Sequence, residues 1–172
     1  AGTLVLSETQ GGRLGYAELK PGESASGRLV AEVRKRASQL AQNGKSTVLI
    51  DGPPGSSCPT ISTLTGGDAA LVVCEPTLSA LSDMKRVLAL AEHFKLECAV
   101  CINKCGLNDG IERAIEDVCE KRGIDVVGRV AYDAHLFEAY VHGGCAQMMQ
   151  SHPIMDEASR IWSYFENGVK EM

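Results

Sequence analysis

The chain lacks several things that would assign it to a class at once. No apolar run approaches the roughly 20 residues of a membrane-spanning helix, because the longest are strand-length and broken by charges. No leader of the secretory type is visible at the start. Basic charge is not in excess: 17 Lys and Arg stand against 22 Asp and Glu, for a net charge of -5 and a pI of about 5.4. An extended nucleic-acid surface is therefore not expected. The single basic run, Arg34-Lys35-Arg36, falls in an amphipathic helical pattern and reads as a solvated helix face. Repeats, low-complexity tracts and linkers are missing too, and the histidines show no His-x-x-x-His spacing. No Ser-His-Asp triad is evident in the sequence.

What is present suits one globular domain. The 172 residues are 44% apolar, enough for a well-buried core. The seven cysteines are odd in number and several sit inside apolar runs. Without an export signal, they read as reduced thiols of a cytoplasmic protein. The sequence begins at Ala1 and runs directly into TLVLS, as an excised or processed piece would, so functional parts are expected upstream.

The pattern along the chain sets the fold class. TLVLS (3–7) and RLGYAEL (13–19) flank Gly11-Gly12 and predict a β-hairpin, with turn material up to about residue 25. Leu29, Val33, Ala37 and Leu40 recur at helical spacing, ending near Asn43-Gly44. Four apolar runs then predict buried strands: STVLID (46–51), AALVVCE (69–75), CAVCIN (98–103) and DVVGRV (125–130). Helical patterns at 60–64, 79–95 and 109–122 separate them, the last with Ile111, Ile115 and Val118 on one face. A helix over 136–141 and another over 153–169 follow. The last carries a stripe of Ile154, Ala158, Ile161, Trp162, Phe165 and Val169. Strands apolar on both faces, alternating with helices, predict a single α/β domain: a mostly parallel sheet in a three-layer αβα arrangement behind an N-terminal hairpin.

The most specific chemistry is DGPPG (51–55) at the end of the first parallel run. Ligands of open α/β sheets bind beyond the carboxyl ends of the strands. There Asp51 can hold Mg²⁺, directly or through water, and Gly55 can offer an unobstructed N–H to a phosphate. Pro53 and Pro54 stiffen the turn. A tight strand-to-helix turn with an aspartate cap is the structural alternative.

The ordered succession VLIDGPPGSSCP, GGDAALVVCEPTLSALSDMKRV, CINKCGLND and DVVGRVAYD resembles the MinD/ParA/Mrp group of P-loop ATPases. GRLGYAELKPGESASGRLV resembles the stretch that follows the inserted ferredoxin domain in one subgroup. The likeness covers about residues 12–145. It implies a partial P-loop NTPase fold, ATP and Mg²⁺ as cofactors of the intact protein, and an iron–sulfur cluster in an insert missing from this chain. Asp51 then corresponds to the aspartate that organises Mg²⁺ and the attacking water, and Gly55 with Pro54 to the γ-phosphate switch. Glu75 and Thr77 end the next strand, and Asp83 and Arg86 belong to a segment that reports to a partner or second subunit. Asn103 corresponds to the residue that hydrogen-bonds adenine, flanked by Lys104, and Asp133 to the base-pocket wall. The likeness also implies a homodimer around nucleotide and a redox or metalloenzyme partner. Related chains often carry Asp in place of Gly106 and Pro in place of Ala131.

The glycine-rich phosphate loop that such an ATPase needs is absent. GKST (44–47) is a decoy: the first glycine of the loop pattern would fall on Gln39, and the segment ends a helix instead of opening one. The chain is therefore expected to be the nucleotide-sensing C-terminal part of an ATPase and inactive by itself. The rival reading is a decayed site that leaves a partner-docking scaffold without ATPase activity. An amidoligase of the cobyrinic acid diamide synthase type would need a glutaminase domain that does not fit here. Cys98, Cys101 and Cys105 imitate an iron–sulfur spacing, but an offset of three along a strand points Cys98 and Cys101 to opposite faces. Cys58, near a helix start, is either a redox thiol or a small packing residue.

Overall fold

The computed structural model describes residues 3–9, 12–22, 27–41, 47–142, 149 and 152–168. The chain divides into two compact units, Ala1–Gly67 and Asp68–Met172. In the first, β1 (Thr3–Thr9) and β2 (Gly12–Glu18) pair antiparallel, from Thr3 opposite Glu18 to Thr9 opposite Gly12. The hairpin expected from the glycine pair is present. α1 (Gly27–Leu40) follows, and its four stripe positions, Leu29, Val33, Ala37 and Leu40, are each half-buried. It packs on α2 (Cys58–Leu64), where Arg34 donates to the Ser62 carbonyl at 2.8 Å and to the Thr65 carbonyl. Those are carbonyls a helix end leaves unpaired. Arg34 thus caps a helix, while its neighbours Lys35 and Arg36 are exposed.

The expected first parallel strand is corrected by the structure. Residues 47–53 have no strand pairing among the described residues, and Leu49 is 86% exposed. Apolar β-branched residues favour an extended backbone, but a strand exists only where a neighbour takes its N–H and C=O groups. Among the described residues the parallel sheet accordingly has three strands, not the four expected.

That sheet belongs to the second unit, in the order β3 (Ala69–Cys74), β4 and β5. α3 (Leu78–His93) links β3 to β4 (Glu97–Cys105), and α4 (Asp109–Arg122) links β4 to β5 (Asp125–Ala131). Both helices are written into the sequence at their ends. The Thr77 hydroxyl accepts the Ala80 N–H at 3.2 Å to start α3. The Asn108 side chain accepts the Ile111 N–H at 3.1 Å to start α4. Asp109 and Glu112 sit at the positive end of α4, Lys121 and Arg122 at the negative end, and Gly123 closes it with φ +64°.

One face of the sheet is buried under α3 and α4. Leu81, Met84 and Leu88, spaced three and four apart, meet Ile115 and Cys119 over Cys74, Val100 and Ile102. Ile111 and Val118 pack against the same cluster, as their spacing predicts. The chain continues through α5 (Ala134–Val141) to α6 (Ile154–Gly168), which covers the other face at β5. Gly128 of β5 permits the approach: a Cβ there would lie 2.5 Å from Ile161 Cδ1 and 3.2 Å from Cys101 Sγ.

The α6 stripe is inward only in part. Ile154, Ile161 and Phe165 are half-buried, whereas Ala158 and Trp162 are exposed and Val169 lies outside the described residues. The residue that turns inward is Glu157, which is buried and accepts the Arg129 N–H at 2.5 Å. β5 is an edge strand, and its free amide draws an acceptor under the helix in place of an apolar side chain. A layer of helix, parallel sheet and helix is thus the architecture of the second unit. No helix among the described residues is long and apolar enough to cross a membrane.

Candidate functional site

The residues singled out in the sequence fall into both units. Asp51, Pro54 and Gly55 belong to the first, and Glu75, Thr77, Asn103, Lys104 and Asp133 to the second.

In the first unit the DGPPG segment is a turn leading into α2. Gly55 has φ +78°, a conformation that L side chains rarely adopt, and a Cβ there would touch nothing. Backbone angle, and not space, is what requires glycine. The turn is tied to α2 by Thr60, a buried residue whose hydroxyl donates to the Gly55 carbonyl at 3.1 Å. Pro54 is exposed. Asp51 is exposed too, and its carboxylate has no hydrogen bond or ion pair among the described residues. A single unengaged carboxylate beside a glycine turn fits Mg²⁺, which keeps several waters and uses one or two protein carboxylates.

In the second unit the carboxyl ends of β3 and β4 meet. Lys104 Nζ lies 2.5 Å from Glu75 Oε1, both side chains being about two-fifths exposed (40% and 42%). Lys104 has φ +58°, uncommon for a residue with a side chain. Its amide donates to Asn103 Oδ1 at 2.9 Å, which leaves the Asn103 Nδ2 donors facing no described partner. The bend continues through Gly106 at φ +91°, whose N–H donates to Glu112 Oε1 at 2.7 Å. Backbone conformations of this kind cluster at ligand-binding and catalytic sites. Thr77 is spent on the α3 cap, and Asp83 pairs with Arg86 three residues on.

Asp133 also has a structural role. Its Oδ1 accepts the His135 N–H at 2.8 Å and the Leu136 N–H at 3.4 Å, which starts α5. Its Oδ2 lies 3.0 Å from His152 Nε2. That hydrogen bond, then the His135 amide, holds the Asp133 carboxyl below the usual carboxylate range. His152 is the residue that sequence reading missed, since 19 positions separate it from Asp133 and nothing in the intervening pattern links them. The Tyr132 N–H donates to the Cys105 carbonyl at 3.3 Å and brings the loop after β5 beside the bend after β4. Except for Thr47, the GKST decoy lies outside the described residues.

Cys98 and Cys101 fall on opposite faces as their offset of three predicts, whereas Cys105, four residues past Cys101, does not share its face because the register shifts between Asn103 and Cys105. Cys98 and Cys105 pack against the core under α3 and α4, whereas Cys101 faces Gly128 on the α6 side. Burial raises the five described thiols of this unit, pushing Cys74 and Cys98 up to about 11. Among the described cysteines Cys58 is the exposed one. In a Cys145→Ser background a maleimide at pH 8 should therefore modify Cys58 first. Cys74, Cys101 and Cys119 should react at least about ten-fold more slowly, because the attacking species is the thiolate. Peptide mapping after timed quenching checks the order.

No protein-family model matches the chain. Two curated proteins of Methanocaldococcus jannaschii are similar to it, and both carry names without an assigned activity. The uncharacterized protein MJ0578 is 38% identical over 95 residues, which are 55% of this chain and 33% of that protein. The uncharacterized protein MJ0579 is 26% identical over 122 residues, 71% of this chain and 40% of that protein. The matched region thus makes up between a third and two-fifths of the relatives' own length.

Proposed function

We propose that this chain is the nucleotide-sensing C-terminal part of a MinD-like ATPase, coupled in the intact protein to iron–sulfur, redox or metal-cluster chemistry. The observation that carries the reading is the DGPPG turn. Its glycine is held at a positive φ by Thr60, and its aspartate is left without a described partner. Such a turn can offer a carboxylate to Mg²⁺ and a backbone amide to a terminal phosphate at once. Within the second unit, Asn103, whose amide donors face no described partner, is the candidate contact for a nucleotide base, and Glu75 and Lys104 border it. Bound Mg²⁺ would neutralise phosphate charge; the phosphate grip itself would come from outside these 172 residues. The intact protein would be cytoplasmic, would dimerise around ATP, and would pass the nucleotide signal to a redox or metalloenzyme partner.

A specific observation favours the rival reading of a scaffold with a decayed site. Glu75 and Lys104 neutralise each other, while Thr77 and Asp133 are used as helix caps. Titration calorimetry of Mg-ATP into this chain and, in parallel, into the whole gene product separates the two. The sensing reading expects heat only with the longer protein, and expects Asp51→Asn to remove the magnesium dependence of that binding. Absence of binding by both would leave the scaffold.

A further inference from the structure

We propose that His152 is a positioning residue for the candidate ligand edge: it fixes Asp133, and through Asp133 the loop that joins β5 to α5. The inference rests on the nucleotide-sensing reading for what that edge binds, but its geometry stands independently.

Both ring nitrogens of His152 are engaged. Nδ1 accepts the Ile154 N–H at 3.2 Å, so Nδ1 carries no proton in this arrangement. The ring proton must then sit on Nε2, which faces Asp133 Oδ2 at 3.0 Å and donates to it. The hydrogen bond from the first turn of α6 fixes which ring nitrogen faces Asp133, and the side chain is only 18% exposed. On the other side of the bond, Asp133 Oδ1 takes the His135 and Leu136 amides. The neighbouring Tyr132 amide takes the Cys105 carbonyl, next to Asn103 and Lys104. Hydrogen bonds therefore lead from the start of α6 through His152 to Asp133, and the peptide link to Tyr132 with its bond to the Cys105 carbonyl carries the path on to the bend after β4. Among the groups expected to meet ligand, the ring is hydrogen-bonded to Asp133 alone within the described residues, so its effect on the edge runs through that carboxylate.

Two roles of His152 can be separated by substitution. His152→Asp keeps an acceptor for the Ile154 N–H but sets a second carboxylate against Asp133. His152→Asn keeps an acceptor and supplies a donor to Asp133. If His152 positions the loop, His152→Asp should speed amide exchange at Tyr132, His135 and Leu136 roughly ten-fold, the equivalent of one lost hydrogen bond. His152→Asn should restore most of the protection, and amides inside α4 should not change in either variant. Nitrogen NMR of the imidazole in the unsubstituted chain should find Nε2 protonated and Nδ1 bare. Unchanged exchange in His152→Asp, or the opposite tautomer, overturns the positioning role.

In the whole gene product, His152→Asp should weaken Mg-ATP binding about ten-fold and His152→Asn much less. Altered exchange with unaltered Mg-ATP affinity overturns the link to the ligand edge. Failure of the unsubstituted whole protein to bind Mg-ATP overturns the nucleotide reading, and with it that link, while the exchange result reports on the loop alone.

Discussion

Ile102→Ala should destabilise the second unit by about 2–5 kcal/mol, and Ile102→Val by about 0.5–1.5 kcal/mol. Ile102 is fully buried, on the central strand of three, beneath α3 and α4. Truncation to Ala removes three carbons from water-free packing. It also leaves a void whose walls belong to two helices and two neighbouring strands, so the site can collapse only in part. Ile115 is equally buried, but Ile102 is followed directly in β4 by Asn103 and Lys104. A loosened Ile102 therefore relaxes the strained bend as well as the core. Urea denaturation followed by far-UV circular dichroism measures the loss. A shift of less than 1 kcal/mol for Ile102→Ala would mean that the cluster under α3 and α4 does not hold this sheet.

The second unit was largely legible in the sequence, and for identifiable reasons. The α4 segment carries its own start and stop: Asn108, the acidic first turn, the basic last turn and Gly123. Its inward face follows from 3.6-residue periodicity. The opposite-face placement of Cys98 and Cys101 follows from the two-residue period of a strand, although β-bulges interrupt the register on either side of Cys101. What was not legible depends on partners distant in the chain. Residues 46–51 have a strand composition, yet pairing is decided by a neighbour that no local pattern names. The α6 stripe predicted Ala158 and Trp162 inward, whereas the orphan amide of edge strand β5 draws Glu157 there. At the candidate site, the sequence put Glu75 and Asn103 at the ends of apolar runs that are β3 and β4, but did not show the mutual pairing of the polar groups. Glu75 with Lys104 spans 29 positions by their numbering, and Asp133 with His152 spans 19. Such pairs require the register of the sheet and the path of α6, which only the folded chain supplies.

That inward glutamate supplies the second large effect. Glu157→Ala should cost about 1.5–3 kcal/mol, the range for hydrogen bonds to a charged group in protected surroundings. Glu157 Oε1 accepts the Arg129 N–H at 2.5 Å, and Oε2 is reached by Arg160. The carboxylate side chain is 11% exposed, while Arg160 is 72% exposed. The two contacts therefore differ in weight: the pair with Arg160 is screened by solvent and contributes little. The bond to the Arg129 amide matters more, because water cannot easily replace the acceptor beneath α6. Three variants separate the terms. Arg160→Ala should change stability by less than about 0.5 kcal/mol. Glu157→Gln keeps an acceptor oxygen and loses the charge, so it should fall between wild type and Glu157→Ala. Glu157→Leu supplies apolar area but no acceptor, and should not recover what Glu157→Ala loses. Amide exchange at Arg129 provides the direct readout, since that proton alone should lose protection in Glu157→Ala without global unfolding. If Glu157→Leu instead proves as stable as wild type, the inward face of α6 is held by apolar contact, as the sequence periodicity had predicted, and the edge amide of β5 is satisfied some other way.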